Sequence, residues 1–385
     1  MTDSVAERYI RLGLRLDRYV PGTIDSYTGP QEFAAEVEAT ELPSARELAD
    51  EADALLAELP DGWLRDQVAG LRTSAGVAAG ESLSYAEEVE GYYEVRPAWT
   101  DESVFAEAHE LLDSLLPGTG TLPERQARAR ESQLVPQDKV EGIVAAVITE
   151  ARRWAGELIE LPEDEGVDLE FVRDEPWNGY NTYLGGLRGK VEINTGVPMT
   201  AYHLLHLVLH ETYPGHQAEF ACKEVALVRG RGLLEETIAL AQAPRSLVSE
   251  GIGEIAPEML LHGEAGAALA GIVTSAGVPF DLGWSLAGTD ASDALGWVSV
   301  NAALMLHERD ASEAEVAAYL QRWGMATPES AARAIRFMTD PESRTYGFNY
   351  PMGKRLCRAY VRSVPGGFRR LLTEQIRVRD LLAAS

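Results

Sequence analysis

The chain has little cysteine and no long apolar runs. Its 385 residues include two cysteines, Cys222 and Cys357, too few for a disulfide framework. No apolar run reaches the roughly 18 residues of a membrane span. The first twenty residues lack the apolar core and cleavage site of a secretory signal. We therefore expect a cytoplasmic protein without a membrane partner.

Basic residues are also scarce. The chain has 34 Lys and Arg against 61 Asp and Glu, a formal net charge of −27. Such a surface repels phosphate backbones and anionic lipids, which argues against a nucleic-acid partner. An acidic proteome is the simplest explanation of the charge. The oligomeric state has no signature in the sequence.

The hydrophobic period is helical over most of the chain. The apolar residues of the first predicted helix are spaced by three and four, and Pro21-Gly22 follows them. We predict further helices at about 44–59, 62–80, 101–115 and 140–159. The polar segment 122–135 is predicted to connect two bodies of structure. One is an N-terminal helical region (1–135) that walls a cleft, and the other a catalytic region (136–385), within one continuous fold.

Short β-like pieces interrupt the helical pattern between residues 167 and 194. They read VDLEFV, YNTYL and KVEIN, and their separators are Pro176, Gly179 and Gly185-Gly186. These lengths and turn residues predict a small antiparallel sheet. The predicted fold class is therefore mainly α, with this sheet next to the helix that carries the main motif. An exposed sheet edge there could pair with an extended peptide, although a purely structural hairpin is equally compatible with the sequence.

Four of the seven histidines lie between residues 201 and 220. Hydrolytic zinc sites use imidazole and carboxylate ligands and leave one position open for water. A Glu beside the first histidine commonly acts as the general base, which makes His210 a candidate ligand and Glu211 a candidate base. The next histidine, His216, is six residues after His210. On an unbroken helix that spacing places two side chains about 120° apart.

Pro214 and Gly215 resolve this problem of spacing. Proline lacks a backbone donor and clashes with the carbonyl four residues earlier, and glycine permits turns that other residues resist. We therefore predict that the helix breaks after Tyr213 and that His216 returns towards His210. His206 and His210 form an alternative chelating pair four residues apart, but that pair leaves His216 unexplained.

Four segments resemble a known family. Residues 210–216 resemble the His-Glu-x-x-Pro-Gly-His signature of a large bacterial family regarded as zinc metallopeptidases and catalogued as domain of unknown function 885. That family is distantly similar to the mostly helical gluzincin peptidases. The resemblance covers about 180–385. The other segments are Ser249-Glu250-Gly251-Ile252-Gly253-Glu254, Leu306-His307-Glu308 with residues 311–317, and Arg336-Phe337 with Tyr350-Pro351-Met352-Gly353.

The resemblance implies further site residues. Glu250 matches the third zinc ligand, and Glu254 is either its competitor or a carboxylate that orients a ligating histidine. A Tyr or His that donates to the developing oxyanion would lower the barrier to attack. The candidates for that role are His307, Tyr350 and Tyr346. Arg336 is a candidate for binding a substrate carboxylate.

The chain departs from the family pattern at several positions. Gln217 stands where the family often has a second histidine, which favours His216 as the ligand. The other departures are Ile252 for Trp, Gly253 for Ala, Pro351 for Lys, and a poorly aligned stretch at 341–349.

The sequence predicts a zinc-dependent hydrolase in which His210, His216 and Glu250 bind the metal and Glu211 is the general base. Its expected substrate is a peptide or a small amide. Two alternatives remain: hydrolysis of a small non-peptide amide or ester, and a non-catalytic binding protein that retains the fold. Cobalt or manganese also suits two histidines and one carboxylate.

Overall fold

Polar residues start many of the helices. In the computed structural model, which describes residues 4–175 and 177–385, a serine caps the first turn of several helices and a glutamate three residues later closes a capping box. Ser4 with Glu7 and Ser44 with Glu47 are two such pairs. Thr200 caps the helix that carries the main motif by accepting a hydrogen bond from the His203 backbone N–H. These caps satisfy backbone N–H groups of the first turn that have no partner within the helix.

The helices follow one another along almost the whole chain. The first eight are α1 (Val5–Asp17), α2 (Gln31–Ala39), α3 (Ala45–Glu58), α4 (Trp63–Ala78), α5 (Tyr85–Tyr93), α6 (Glu102–Leu115), α7 (Leu122–Ser132) and α8 (Gln137–Leu158). The later ones are α9 (Ala201–Glu211), α10 (His216–Lys223), α11 (Pro244–Leu260), α12 (Gly263–Ser275), α13 (Leu282–Ala287), α14 (Thr289–Glu308), α15 (Glu313–Trp323), α16 (Pro328–Thr339), α17 (Asn349–Ser363), α18 (Gly367–Thr373) and α19 (Val378–Leu382). A π-helical turn, Glu224–Arg229, continues α10.

Two small sheets complete the fold. Strands β1 (Ile24–Tyr27) and β5 (Ile238–Leu240) form an antiparallel pair. Strands β2 (Gly166–Val172), β3 (Gly179–Gly185) and β4 (Arg188–Asn194) form a three-stranded sheet in the order β2-β4-β3.

The mainly α class and the position of the small sheet are confirmed. The strictly antiparallel pairing of that sheet was wrong, because β2 runs parallel to β4 and only β3 is antiparallel to it. Strand β4 therefore lies between β2 and β3, which are not neighbours in the sheet. Pro176, a predicted separator, lies outside the described residues, as do residues 1–3 of the N-terminal segment.

The predicted connection at 122–135 is a helix, α7, which starts at a capping box of Thr121 and Glu124. Buried Arg125 of α7 donates to the carbonyls of Asp113 and Leu116, and so holds α7 against the end of α6. The polar composition reflects the exposure of most of this helix to solvent. No helix among the described residues is long and apolar enough to cross a membrane.

The buried apolar side chains form two clusters. The smaller contains residues of α1, α3 and α4 together with β5. The larger extends from Tyr85 in α5 to Leu381 in α19 and includes the apolar faces of α8, α9, α11 and α17. Residues 85–135 thus share a core with the region predicted to be catalytic, and the predicted division at residue 135 stays a prediction.

Candidate metal centre

The main motif folds as two helices joined by a tight turn. Helix α9 ends at Glu211, and α10 begins at His216. The break between the two histidines is therefore confirmed, although the helix ends two residues earlier than predicted. The Tyr213–Pro214 peptide bond within the turn is cis.

Gly215 allows the two helices to approach closely. Its backbone N–H donates to the Leu209 carbonyl over 3.1 Å. A Cβ atom at this position would lie 1.9 Å from the carbonyl oxygen of His210. The glycine is needed for this contact and not for a left-handed backbone conformation, since its φ is −80°. A larger residue would push His216 away from His210.

Neighbouring side chains fix the turn in place. The buried Tyr213 hydroxyl donates to Glu165 over 2.5 Å, and Arg152 binds the other oxygen of that carboxylate over 2.6 Å. Buried Gln217 donates to the carbonyls of Gly166 and Leu187 at the ends of the three-stranded sheet. The residue that departs from the family pattern therefore ties α10 to the sheet.

The turn and helix α11 bring three buried donor groups together. The imidazole rings of His210 and His216 are perpendicular, with centroids 4.6 Å apart. Glu250 of α11 lies between them, 3.4 Å from His210 Nε2 and 3.8 Å from His216 Nε2. One donor atom of each of the three residues lies within 4.8 Å of the other two. Such a set could hold one divalent cation.

His206, His210 and Glu254 form a second group with donor atoms within the same distance of one another. Glu254 in this group already has basic partners. It accepts from His206 Nε2 over 3.4 Å and lies 3.6 Å from Lys354 Nζ. A lysine cation beside this carboxylate disfavours a metal cation at the same position, so the group around Glu250 is the better metal site.

The environment of the Glu250 carboxylate suits a bound cation. Its Oε1 accepts from the Tyr346 hydroxyl over 2.6 Å, whereas its Oε2 is buried without a hydrogen-bond partner. Burial disfavours the charged form, but the close contact with His210 and the charges of the two histidines outweigh it and lower the pKa of Glu250. A buried, ionised oxygen without a partner is the arrangement that a bound metal ion would satisfy.

A carboxylate faces the second ring nitrogen of each histidine. His210 Nδ1 lies 3.7 Å from Glu254, and His216 Nδ1 lies 3.7 Å from Glu219. Ser249 lies within 3.4 Å of His216 Nδ1 and donates to Glu219 over 2.6 Å. Carboxylates in this position orient metal-binding imidazoles and increase their basicity.

Glu211 is buried beside these histidines. Burial and the neighbouring charge of Glu250 raise the pKa of its carboxyl group, against the opposing charges of His210 and His216. Asn181 of β3 donates to the Glu211 backbone carbonyl over 2.7 Å, which holds this end of α9 against the sheet. A carboxyl group with a raised pKa beside two imidazoles is suited to accept a proton and return it.

The three other predicted catalytic residues lie in different surroundings. Tyr350 lines the cavity, with its ring centroid 6.5 Å from that of His210. His307 instead stacks on Tyr85 and donates through Nε2 to the Met338 carbonyl over 2.7 Å. Arg336 is exposed and is not among the residues that line the cavity. Of these three predictions, only Tyr350 is placed beside the candidate metal centre.

Sequence reasoning missed two acidic residues near the cluster. Glu219 is three residues after His216 on the same helix, a spacing that could have identified it. Asp25 of β1 accepts from the Tyr180 hydroxyl over 2.5 Å. Desolvation and the charges of Glu250 and Tyr350 raise the pKa of the Tyr346 hydroxyl, and the charge of Asp25 adds to this rise. No local pattern around Asp25 indicated this position.

A cavity of about 1920 Å³ opens beside the cluster. Its lining includes His206, His210, Glu211, Glu254 and Tyr350. Residues from α5, α6, α7, α13, α14, α16 and α17 also line it, and Asn178 and Gly179 extend it to the start of β3. Since β3 is at one side of its sheet, the start of an outer strand lies beside the cavity, and its pairing with a peptide stays a prediction.

Comparison with known proteins gives only the fold. No family model and no curated protein matches the chain. The structure is similar to that of a candidate lipoprotein from Colwellia psychrerythraea, with a TM-score of 0.56 and 13% identity over 96% of this chain and 67% of that one. A candidate lipoprotein of unknown function from Shewanella oneidensis gives a TM-score of 0.52 and 11% identity over 91% and 75%. At such identities the similarity carries no information about activity.

Proposed function

We propose that this chain is a zinc-dependent hydrolase of peptide or amide bonds. The main support is the convergence of His210, His216 and Glu250, with one buried Glu250 oxygen that has no hydrogen-bond partner. Two histidines and one carboxylate with room for water are a ligand set used by hydrolytic zinc enzymes. Two buried cysteines without a disulfide partner, Cys222 and Cys357, are compatible with the cytoplasmic location that we also propose.

A bound zinc ion would acidify a water molecule and polarise the scissile carbonyl. The protein's own groups supply the proton transfers. Glu211, whose pKa burial raises, would take a proton on its carboxylate and return it to the leaving amine. Glu254 and Glu219 would hold the histidine rings in orientation, and the Tyr350 hydroxyl would donate to the developing oxyanion.

The size of the cavity favours a peptide over a small amide or ester. A volume of about 1920 Å³ exceeds the roughly 300–1,000 Å³ that is usual for small-molecule sites. The adjacent β3 edge could hold an extended chain by main-chain hydrogen bonds. Both features suit a substrate of several residues.

Metal analysis tests the proposal and separates the two clusters. After loading with zinc, cobalt or manganese in turn, the wild type is expected to bind one ion per chain, most tightly zinc. His216→Asn is expected to bind none, whereas the matched variant His206→Asn is expected to retain it. The opposite pattern would move the site to Glu254, and no binding by the wild type would overturn the proposal.

A peptide library and a set of acyl amino acids then test the chemistry. The zinc-loaded wild type is expected to cleave peptides, and Glu211→Gln to bind zinc normally while losing activity by at least about 10²-fold. Preference for acyl amino acids would favour the small-amide alternative. Zinc binding without cleavage of either class would favour a binding protein.

A further inference from the structure

The cavity wall has a charge opposite to that of the whole molecule. Acidic residues outnumber basic ones by 61 to 34 in the chain, but seven basic and four acidic residues line the cavity. The basic residues are Arg130, Arg333, Arg344, Lys354, Arg355, Arg358 and Arg362, and the acidic ones are Glu175, Glu211, Glu254 and Asp293. A general excess of acid does not explain this local inversion.

Several of these basic residues have structural partners. Lys354 lies 2.8 Å from Asp293, Arg358 binds Glu258 and Asp293, and Arg344 binds Glu88. Within residues 4–175 and 177–385, the remaining four form no ion pair with an acidic side chain. These four, which we call the cavity arginines, are Arg130 of α7, Arg333 of α16, and Arg355 and Arg362 of α17.

Helix α17 carries two of the cavity arginines and begins beside the candidate metal centre. Tyr350, in the first turn of α17, has its ring centroid 6.5 Å from that of His210. Arg355 and Arg362 follow on the cavity side after five and twelve residues, about 8 and 18 Å along the helix axis. An extended peptide covers the longer distance with about five or six residues. Arg355 also lies near an apolar surface, 5.9 Å from the centroid of the Trp297 ring.

The acidic side chains beside the two histidines have basic partners. Glu254 lies 3.6 Å from Lys354 Nζ, and Glu219 lies 2.6 Å from Lys223 Nζ. Within the described part of the chain, the cavity arginines have no such acidic partners, so the carboxylates of a substrate would be attracted to them.

We infer that the substrate is an acidic peptide whose Glu or Asp side chains bind the cavity arginines several residues away from the scissile bond. The cleavage of such a peptide rests on the proposed function, whereas the binding of its acidic side chains does not. Guanidinium groups bind carboxylates in bidentate fashion. A terminal carboxylate has the same chemistry, but four arginines on three helices suit several anionic groups better than one.

Matched peptides test the inference. Acetylated and amidated octapeptides with three Glu or three Gln residues differ only in charge, and a free-acid version of the Gln peptide adds a terminal carboxylate. The zinc-loaded wild type is expected to have at least about fivefold higher kcat/KM for the Glu peptide, mainly through KM. Equal values for the two blocked peptides, or a preference that follows only the free terminus, would overturn the inference.

Paired variants assign the effect to the cavity. Arg355→Gln with Arg362→Gln is expected to bring the ratio of kcat/KM for the Glu and Gln peptides down to about one. Arg231→Gln with Arg369→Gln makes the same change in net charge at exposed arginines outside the cavity lining, and is expected to keep the preference. Equal loss in both double variants would attribute the preference to overall charge and overturn the inference.

Binding separates this inference from the proposed function. Fluorescence anisotropy of the labelled Glu and Gln peptides with Glu211→Gln requires no cleavage. Tighter binding of the Glu peptide, abolished in the Arg355 and Arg362 background, would support the inference even if no peptide is hydrolysed. Equal binding of both peptides to Glu211→Gln would overturn it, whatever the activity of the wild type.

Discussion

Gly215 determines whether His216 can reach His210. The Cβ of any other residue would meet the His210 backbone oxygen at 1.9 Å, and backbone atoms cannot move aside as the end of a side chain can. The close approach of α9 and α10 thus depends on one missing methyl group. The neighbouring Tyr213 and Gln217 then fix the turn by buried hydrogen bonds.

We expect Gly215→Ala to abolish zinc binding and to destabilise the protein by about 1–3 kcal/mol, because overpacking forces the backbone apart. Zinc titration and denaturant unfolding of the metal-free protein measure the two effects. Gly156→Ala in α8, where an added Cβ meets nothing within 4 Å, is the matched control and should bind zinc normally. Unchanged zinc affinity in Gly215→Ala would contradict this account of the turn.

Two segments that resemble the family meet where α11 crosses α17. A Cβ on Gly353 of α17 would lie 2.5 Å from the Leu247 carbonyl oxygen and 2.8 Å from the Gly251 backbone nitrogen. Gly251, next to Glu250, and Gly353, three residues after Tyr350, therefore pack against each other. This contact sets the distance between the helix that carries Glu250 and the helix that carries Tyr350.

Gly353→Ala should therefore separate α11 from α17. We expect a loss of about 1–3 kcal/mol in the free energy of unfolding, together with weaker zinc binding because Glu250 moves with its helix. Isothermal titration with zinc and urea unfolding provide the measurements. Gly142→Ala in α8 has open space around the added Cβ and serves as the control; a Gly353→Ala protein as stable as this control would refute the proposed crossing.

The metal centre joins separate parts of the molecule. His210, His216 and Glu250 come from α9, α10 and α11, which pack into the larger hydrophobic cluster. A metal that binds only the folded chain stabilises it by about 2.7 kcal/mol at a concentration 100 times its Kd.

For a chain of this length, that stabilisation corresponds to a rise in Tm of about 3 °C. Calorimetry of the wild type with zinc and after chelation should show this difference. His216→Asn should unfold at the same temperature in both conditions. A zinc-independent Tm in a wild type shown to carry zinc would mean that the unfolded chain binds the ion equally well.

Glu94 makes the stability of the whole molecule depend on pH. It ends α5 in a left-handed conformation with φ of 59°, and its Oε2 is buried without a hydrogen-bond partner. Desolvation, followed by the charge of Asp66, raises the pKa of Glu94 to about 7. Asp66 of α4 also binds Arg377 next to α19, so Glu94 lies where distant parts of the chain meet.

The raised pKa means that the folded state holds a proton which the unfolded chain releases near pH 4.5. Stability is therefore highest below the unfolded pKa and falls as the pH rises towards 7. We expect Glu94→Gln to be more stable than the wild type by about 1–2 kcal/mol at pH 8 and equally stable near pH 4.5. Urea unfolding at both pH values checks this. Exposed Glu131→Gln should show no such difference.

The sequence alone determined the features that depend on neighbouring residues. Helical periodicity predicted the fold class and the approximate positions of several helices. Pro214 and Gly215 predicted the break that brings His216 towards His210, because steric clashes between residues a few positions apart do not depend on the rest of the fold. The resemblance to a known family added Glu250.

Only the tertiary structure decided what depends on distant contacts. It paired β2 with β4 in parallel, brought Asp25 towards the cluster from near the N-terminus, and placed Arg336 outside the cavity that four other arginines line. It also gave Glu254 a lysine partner and left a Glu250 oxygen without one. These outcomes follow from how helices and strands far apart in sequence pack together, and no local spacing rule contains that information.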